Sequence, residues 1–245
     1  LGHFYEHGYT GSPDFAKALE NYKQAGEGGD SDGWNNIGLM HENGSGVPQS
    51  YQEAARYYEK AGDLGNLWGL SNLGNFYRDG RGIPKNEAKA RELYEKAAAG
   101  GLATAATRLG YMLQFGLGGA KDVTRARELY EQAALEKDGT ALNNLGVLYR
   151  DGIGVKRSDK TARDYFERGA KEGDGYALTN FGYFLEMGRG GPADLKLAIS
   201  YYEKGAAAGN KTAMENLANA YSQGRGVTKN LAKAKEWRDK AAKAS

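Results

Sequence analysis

Read along the chain, apolar and small positions recur at spacings of three and four and are interrupted at regular intervals by glycine. Between Asp32 and Asn43 they fall at Gly33, Trp34, Ile37, Gly38, Met40 and His41, one face of a helix. Between Tyr51 and Asp63 they fall at Ala54, Tyr57, Tyr58 and Ala61. This second face sets large tyrosines against small alanines, a combination that lets helices interlock at short distance. The two faces predict a helical hairpin joined by the loop Ser45-Gly46-Val47-Pro48. A helix of about 12 residues is marginal alone in water, so the hairpin needs neighbours to cover its faces.

Neighbours are supplied by repetition. The pattern returns every 36 residues without insertion, anchored at Leu1, Ile37, Leu73, Leu109, Leu145, Phe181 and Leu217. A glycine follows each anchor except the last, where Ala218 stands. Mid-helix glycine costs about 1 kcal/mol against alanine, which predicts a closely approaching helix at Gly38 and its equivalents. A second column, from Gly8 through Gly44, Gly80, Gly116, Gly152 and Gly188 to Gly224, holds glycine throughout and predicts left-handed helix C-caps. A third column holds Asp14, Ser50, Asn86, Asp122, Ser158, Asp194 and Asn230, all preferred N-cap residues opening the second helix. The 37 glycines in 245 residues are therefore structural, and the fixed period predicts a repeat array.

Trp34, Ile37, Gly38 and His41, and more closely Leu142, Leu145, Gly146 and Tyr149, match the W-x2-L-G-x2-Y signature of tetratricopeptide repeats. The longer period and the extra G-x-G-V loop identify the closer resemblance: the chain resembles the Sel-1-like repeat family along its whole length, with residues 141–155 nearly a consensus copy. The resemblance implies an all-α fold, a right-handed α-solenoid or superhelix of 36-residue helix-turn-helix repeats. It also implies an adaptor or scaffold for protein complexes, as in endoplasmic-reticulum quality control and in bacterial signalling, envelope and host-interaction systems. Some secreted members carry a disulfide in every repeat; this chain, with no cysteine, departs from them. The expectation is one solenoid over 1–245, with about 13 helices, the first of each pair inside and the second outside.

Composition removes several other classes. With 33 basic and 31 acidic residues the net charge is +2, which gives no case for nucleic acid or an anionic membrane as partner. The absence of cysteine removes thiolate nucleophiles and cysteine-based metal sites. No apolar run reaches the roughly 18 residues of a membrane span. The redox compartment and localisation stay open. His3 and His7, with Glu6 between them, have helical metal-ligand spacing, but both fall in exposed polar columns, and His41 replaces a core tyrosine. We expect no metal site, no cofactor and no catalytic residue. The asparagines Asn36, Asn72, Asn144, Asn180 and Asn216 are expected to bond the inter-helix loop or adjacent backbone.

By tetratricopeptide phase, the concave face carries the columns of Asp32, Asn35, Leu39, Glu42 and Asn43. The column of Glu42 reads Glu6, Glu42, Arg78, Gln114, Arg150, Glu186, Ser222, whereas a phosphate track would be consistently basic. The same face suggests a protein-binding groove. Tyr111 with Phe115, and Tyr183 with Met187, put large apolar side chains in columns that elsewhere are mostly polar. Val147 and Arg150 lie in the repeat between, and Arg78 beside it. Helices pack roughly 8–10 Å apart, so the two clusters are expected about 20 Å from each other, the span of about six extended residues. Arg150 and Arg78 would then pair an acidic group of the peptide. An alternative folds Phe115 and Met187 onto their own loops at Leu117 and Gly191.

The non-enzymatic interaction scaffold is the leading expectation. The alternative is a regulatory or targeting arm of a larger enzyme or of an envelope or signalling protein, with single-stranded RNA binding behind both. Two further expectations concern the ends. Residues 1–8 begin inside a helix and suggest the remnant of a longer protein or a trimmed chain. A polar C-terminal helix at about 230–244, with Arg238 in the tyrosine column, suggests a capping unit.

Overall fold

The computed structural model describes residues 1–8 and 11–244. Among these residues there are fourteen α-helices and no strand. They divide into two compact units, Leu1–Asp122 and Val123–Ser245. The first unit holds α1 (Gly2–Glu6), α2 (Phe15–Glu27), α3 (Ser31–Asn43), α4 (Tyr51–Asp63), α5 (Leu67–Asp79), α6 (Glu87–Ala99) and α7 (Ala103–Phe115). The second holds α8 (Val123–Leu135), α9 (Gly139–Asp151), α10 (Asp159–Lys171), α11 (Gly175–Met187), α12 (Leu195–Ala207), α13 (Lys211–Gln223) and α14 (Leu231–Lys243). Within each unit packing is between helices adjacent in the chain, and first helices of consecutive repeats also touch, α3 with α5 and α9 with α11.

The predicted caps form. Asp14, Ser50, Asn86, Ser158, Asp194 and Asn230 each accept a hydrogen bond from the backbone N–H three residues on. At the other end of the first helix, Gly44 takes φ 72° and donates to the Met40 carbonyl, a left-handed cap repeated at Gly80, Gly152, Gly188 and Gly224. The first helices have a cap column of their own, Asp30, Asn66, Asp138, Asp174 and Asn210, each accepting from its own first turn. Pattern reading had passed over this column.

The glycine after each anchor seats an aromatic ring from the second helix of the same hairpin. A Cβ at Gly38 would lie 2.6 Å from the Tyr58 ring, and one at Gly146 would lie 2.5 Å from Phe166. Tyr58, Tyr94, Tyr130, Phe166 and Tyr202 are all fully buried in this way. In the last hairpin the glycine becomes Ala218 and the ring becomes Arg238, which is exposed. Tyr57, expected in the core beside Tyr58, is only half-buried. It stacks against Trp34 at 5.8 Å and His41 at 5.5 Å, because its column lies at the edge of the hairpin seam.

The asparagine column differs from expectation. Asn72 donates to the Asn35 side chain at 3.2 Å, and Asn180 to Asn143 at 2.8 Å. Arg108, in the same column, donates to Ser71 Oγ at 2.6 Å. The partner is thus a side chain on the first helix of the preceding repeat, not the loop or backbone. This contact also explains a second correction. The column of Asn35, expected to be open on the concave face, is buried at Asn35, Ser71, Thr107, Asn143 and Thr179, because the next first helix packs over it.

Candidate interaction surface

In the first unit, α7 ends in Tyr111 and Phe115, one turn apart. Their rings lie 4.7 Å apart, and they remain 46% and 55% exposed. Phe115 therefore rests on Tyr111 and stays open to solvent instead of being absorbed by its loop. Arg78, on α5, is not free to meet a partner's acid. It grips Asp79 through two hydrogen bonds, at 2.7 and 2.9 Å. That bond holds the Asp79 carboxyl below the usual carboxylate range and raises the Arg78 guanidinium.

In the second unit, Tyr183 and Met187 stand one turn apart on α11, 40% and 54% exposed. Val147, on α9, is half-buried and packs against the core of its unit. Arg150 repeats the arrangement of Arg78, bonding Asp151 twice at 2.7 Å, which lowers the Asp151 carboxyl. Arg189 is likewise tied to Asp159, at 2.7 and 3.0 Å.

The column of Glu42 performs a structural task that the sequence pattern had not shown. Glu42 accepts the Tyr58 hydroxyl on one oxygen and meets Arg81 of the next repeat at 2.8 Å on the other. Glu186 does the same with Tyr202 at 2.7 Å and Arg225 at 2.8 Å, and Glu6 accepts Tyr22 at 2.7 Å. Burial first, then the neighbouring carboxylate, pushes these tyrosines well above their ordinary range. A signal for this exists in the repeats. Glutamate stands opposite a tyrosine in each of these units, whereas Arg150 stands opposite Phe166, which has no hydroxyl to satisfy. Tyr94, opposite Arg78, turns to Asn75 instead, at 2.7 Å.

Two exposed aromatics were missed. Trp68 and Tyr176 occupy the column of Asp32 and are 50% and 67% exposed. The column had been assigned to the open face, but its aromatic members had not been picked out. At the amino end, His3 and His7 are exposed and stacked at 4.0 Å. Glu6 is engaged by Tyr22, and no group of three metal-ligating side chains occurs among the described residues. No helix among them is long and apolar enough to cross a membrane.

Exposed apolar side chains on a capped, repeated helical frame define a repeat protein that presents a surface for association. The Sel1 repeat model matches residues 1–30, 35–66, 69–102, 103–138, 139–174, 175–210 and 211–245, and the chain belongs to the Sel1 repeat family. A Sel1 repeat protein from Oxalobacter formigenes is 32% identical over 92% of this chain and 90% of its own, with a TM-score of 0.85. A protective antigen with an SLR fold, present in uropathogenic Escherichia coli strains, is 30% identical with a TM-score of 0.80. It covers 99% of this chain, which spans only 52% of that antigen. An immunity protein from Pseudomonas aeruginosa, 20% identical over 87% of this chain and 81% of its own, shares the fold at a TM-score of 0.61. No curated protein matches the chain. Sel1 repeat proteins generally mediate protein–protein interaction and are typically non-enzymatic helical scaffolds.

Proposed function

We propose that this chain is a non-enzymatic scaffold that binds a partner protein or peptide on the exposed edge of its first helices. In the first unit the contact residues are Tyr111 and Phe115, with Arg78 beside them. In the second they are Tyr183 and Met187, with Val147 and Arg150 on the neighbouring helix. One observation carries the reading. The column of Asn43 holds Asp79, Asp151 and Gln223 in other repeats, yet Phe115 and Met187 are more than half exposed there. Buried packing has no use for those side chains, and an exposed apolar pair on an otherwise polar edge favours an interface. Since Arg78 and Arg150 are already bonded to Asp79 and Asp151, the apolar pairs supply the affinity and the arginines shape their rims.

The test is affinity capture from the source cells, combined with thermal melts. Tyr111→Ala with Phe115→Ala, and Tyr183→Ala with Met187→Ala, are made separately and together. Surface substitutions are worth about 0.5 kcal/mol or less in stability, so melting should barely move while capture of the specific partner is lost. A protein with all four changes that still captures its partners undiminished would overturn the proposal.

A further inference from the structure

The apolar edge of the second unit extends beyond Tyr183 and Met187. Tyr176 stands seven residues before Tyr183 on α11 and is 67% exposed. At 100° per residue, Tyr176, Tyr183 and Met187 lie within about 20° of one line along the helix. With a rise of about 1.5 Å per residue, their spacings are about 10.5 and 6 Å. The flanking helices do not continue the stripe sideways. At the matching positions α9 carries Thr140, Val147 and Asp151, and α13 carries Thr212, Asn219 and Gln223. The stripe is one helix wide and runs along α11.

That shape selects its occupant. A segment crossing the helices would meet only one of the three residues. An extended segment lying along α11 repeats its facing side chains at about 6.6 Å, which fits the short spacing but has nothing opposite the long one. A helix lying along α11 repeats both spacings through its own i, i+7 and i+11 positions. The surrounding charges are closed within the chain, Arg150 on Asp151, Arg189 on Asp159 and Arg225 on Glu186. The face therefore offers an incoming residue no charge without a partner among these pairs. We infer that Tyr176, Tyr183 and Met187 form a docking strip for an amphipathic helix whose contacting stripe is apolar and uncharged. This rests on the first-helix edge being an interaction surface and names the partner's form.

The probe is a pool of fluorescent, net-neutral peptides of about 16 residues. Each carries Leu, Ile, Phe or Trp at i, i+7 and i+11 on an alanine–glutamine helix. A matched pool has one central proline, which breaks the helix. Binding to the full chain is read by anisotropy. The expected result is binding of the helical pool alone, weakened about tenfold by Tyr176→Ala and by Tyr183→Ala. Affinity should change less than twofold between about 50 and 500 mM NaCl. The inference is overturned if the proline pool binds equally, if Tyr176→Ala has no effect, if salt abolishes binding, or if no helical peptide binds. Capture by the Tyr183→Ala, Met187→Ala protein separates the two readings. Lost capture with no helical-peptide binding removes the helix and keeps the surface, whereas retained capture removes the surface itself.

Discussion

Tyr94 shows how much of this molecule is decided by single side chains. Its ring is fully buried against Gly74, and burial pushes its hydroxyl up to about 12. An unfolded tyrosine ionises near 10, so the folded state resists deprotonation. The resulting stability is present in full below about pH 10 and is lost as pH rises through about 12, at up to about 1.4 kcal/mol per pH unit. Tyr22, Tyr58 and Tyr202 shift the same way. Urea melts at successive pH values should show stability falling steeply above pH 10, and less steeply in Tyr94→Phe. Equal slopes would count against the assignment. The glycines beneath these rings make a second prediction with an unusual sign. Gly146→Ala raises helix propensity, yet its Cβ would meet Phe166 at 2.5 Å, so it should destabilise by about 1–3 kcal/mol. Ala218→Gly, where no ring lies opposite, should cost only about 1 kcal/mol from propensity. Denaturant midpoints of the two variants check the contrast.

Helices begin here at two kinds of cap, and only one kind was legible in the chain. The second-helix caps stand directly before an amphipathic run and after a Gly-x-Gly loop, so Ser50 and its equivalents announce themselves. The first-helix caps, Asp30 and its equivalents, follow a glycine turn of only a few residues, where Asp and Asn read equally well as turn residues. The bonds from Tyr58 to Glu42 and from Asn72 to Asn35 were harder still. They join positions 16 and 37 residues apart, relations no helical period contains, and they need the register of hairpin against hairpin. The same absence explains why the columns of Asn35 and Glu42 were assigned to an open face. The apolar exposures at Tyr111, Phe115, Tyr183 and Met187 were readable because they break their own columns. Asp174 makes the element scale testable. It caps α11 through Ala177 at 2.7 Å and also accepts from Thr140 at 2.9 Å, whereas Asp194 caps α12 through Leu197. Asp194→Ala should cost about 1 kcal/mol and Asp174→Ala about 2. If guanidinium melts give the two equal costs, the link to Thr140 adds nothing.

At the scale of the whole molecule the 36-residue period has an energetic consequence. In each unit the packing joins helices consecutive in the chain or first helices of adjoining repeats. The cores are correspondingly local. One gathers Tyr58, Leu73 and Phe76; another, in the second unit, gathers Phe166, Phe181, Phe184 and Tyr202. Stability in such an array is close to a sum of repeat and nearest-neighbour contributions, so damage stays near its origin. Gly146→Ala provides the damage, since it forces Phe166 out of its seat between α9 and α10. Hydrogen exchange followed peptide by peptide should then speed up in α9, α10 and α11, whose amides lose protection as the Phe166 cluster loosens. Exchange in α2, α3, α4 and α5 should match the unaltered protein, because their core shares no side chain with that cluster. Uniform loss of protection across both sets would mean that the chain opens as a single cooperative body, and nearest-neighbour additivity would then be wrong for it.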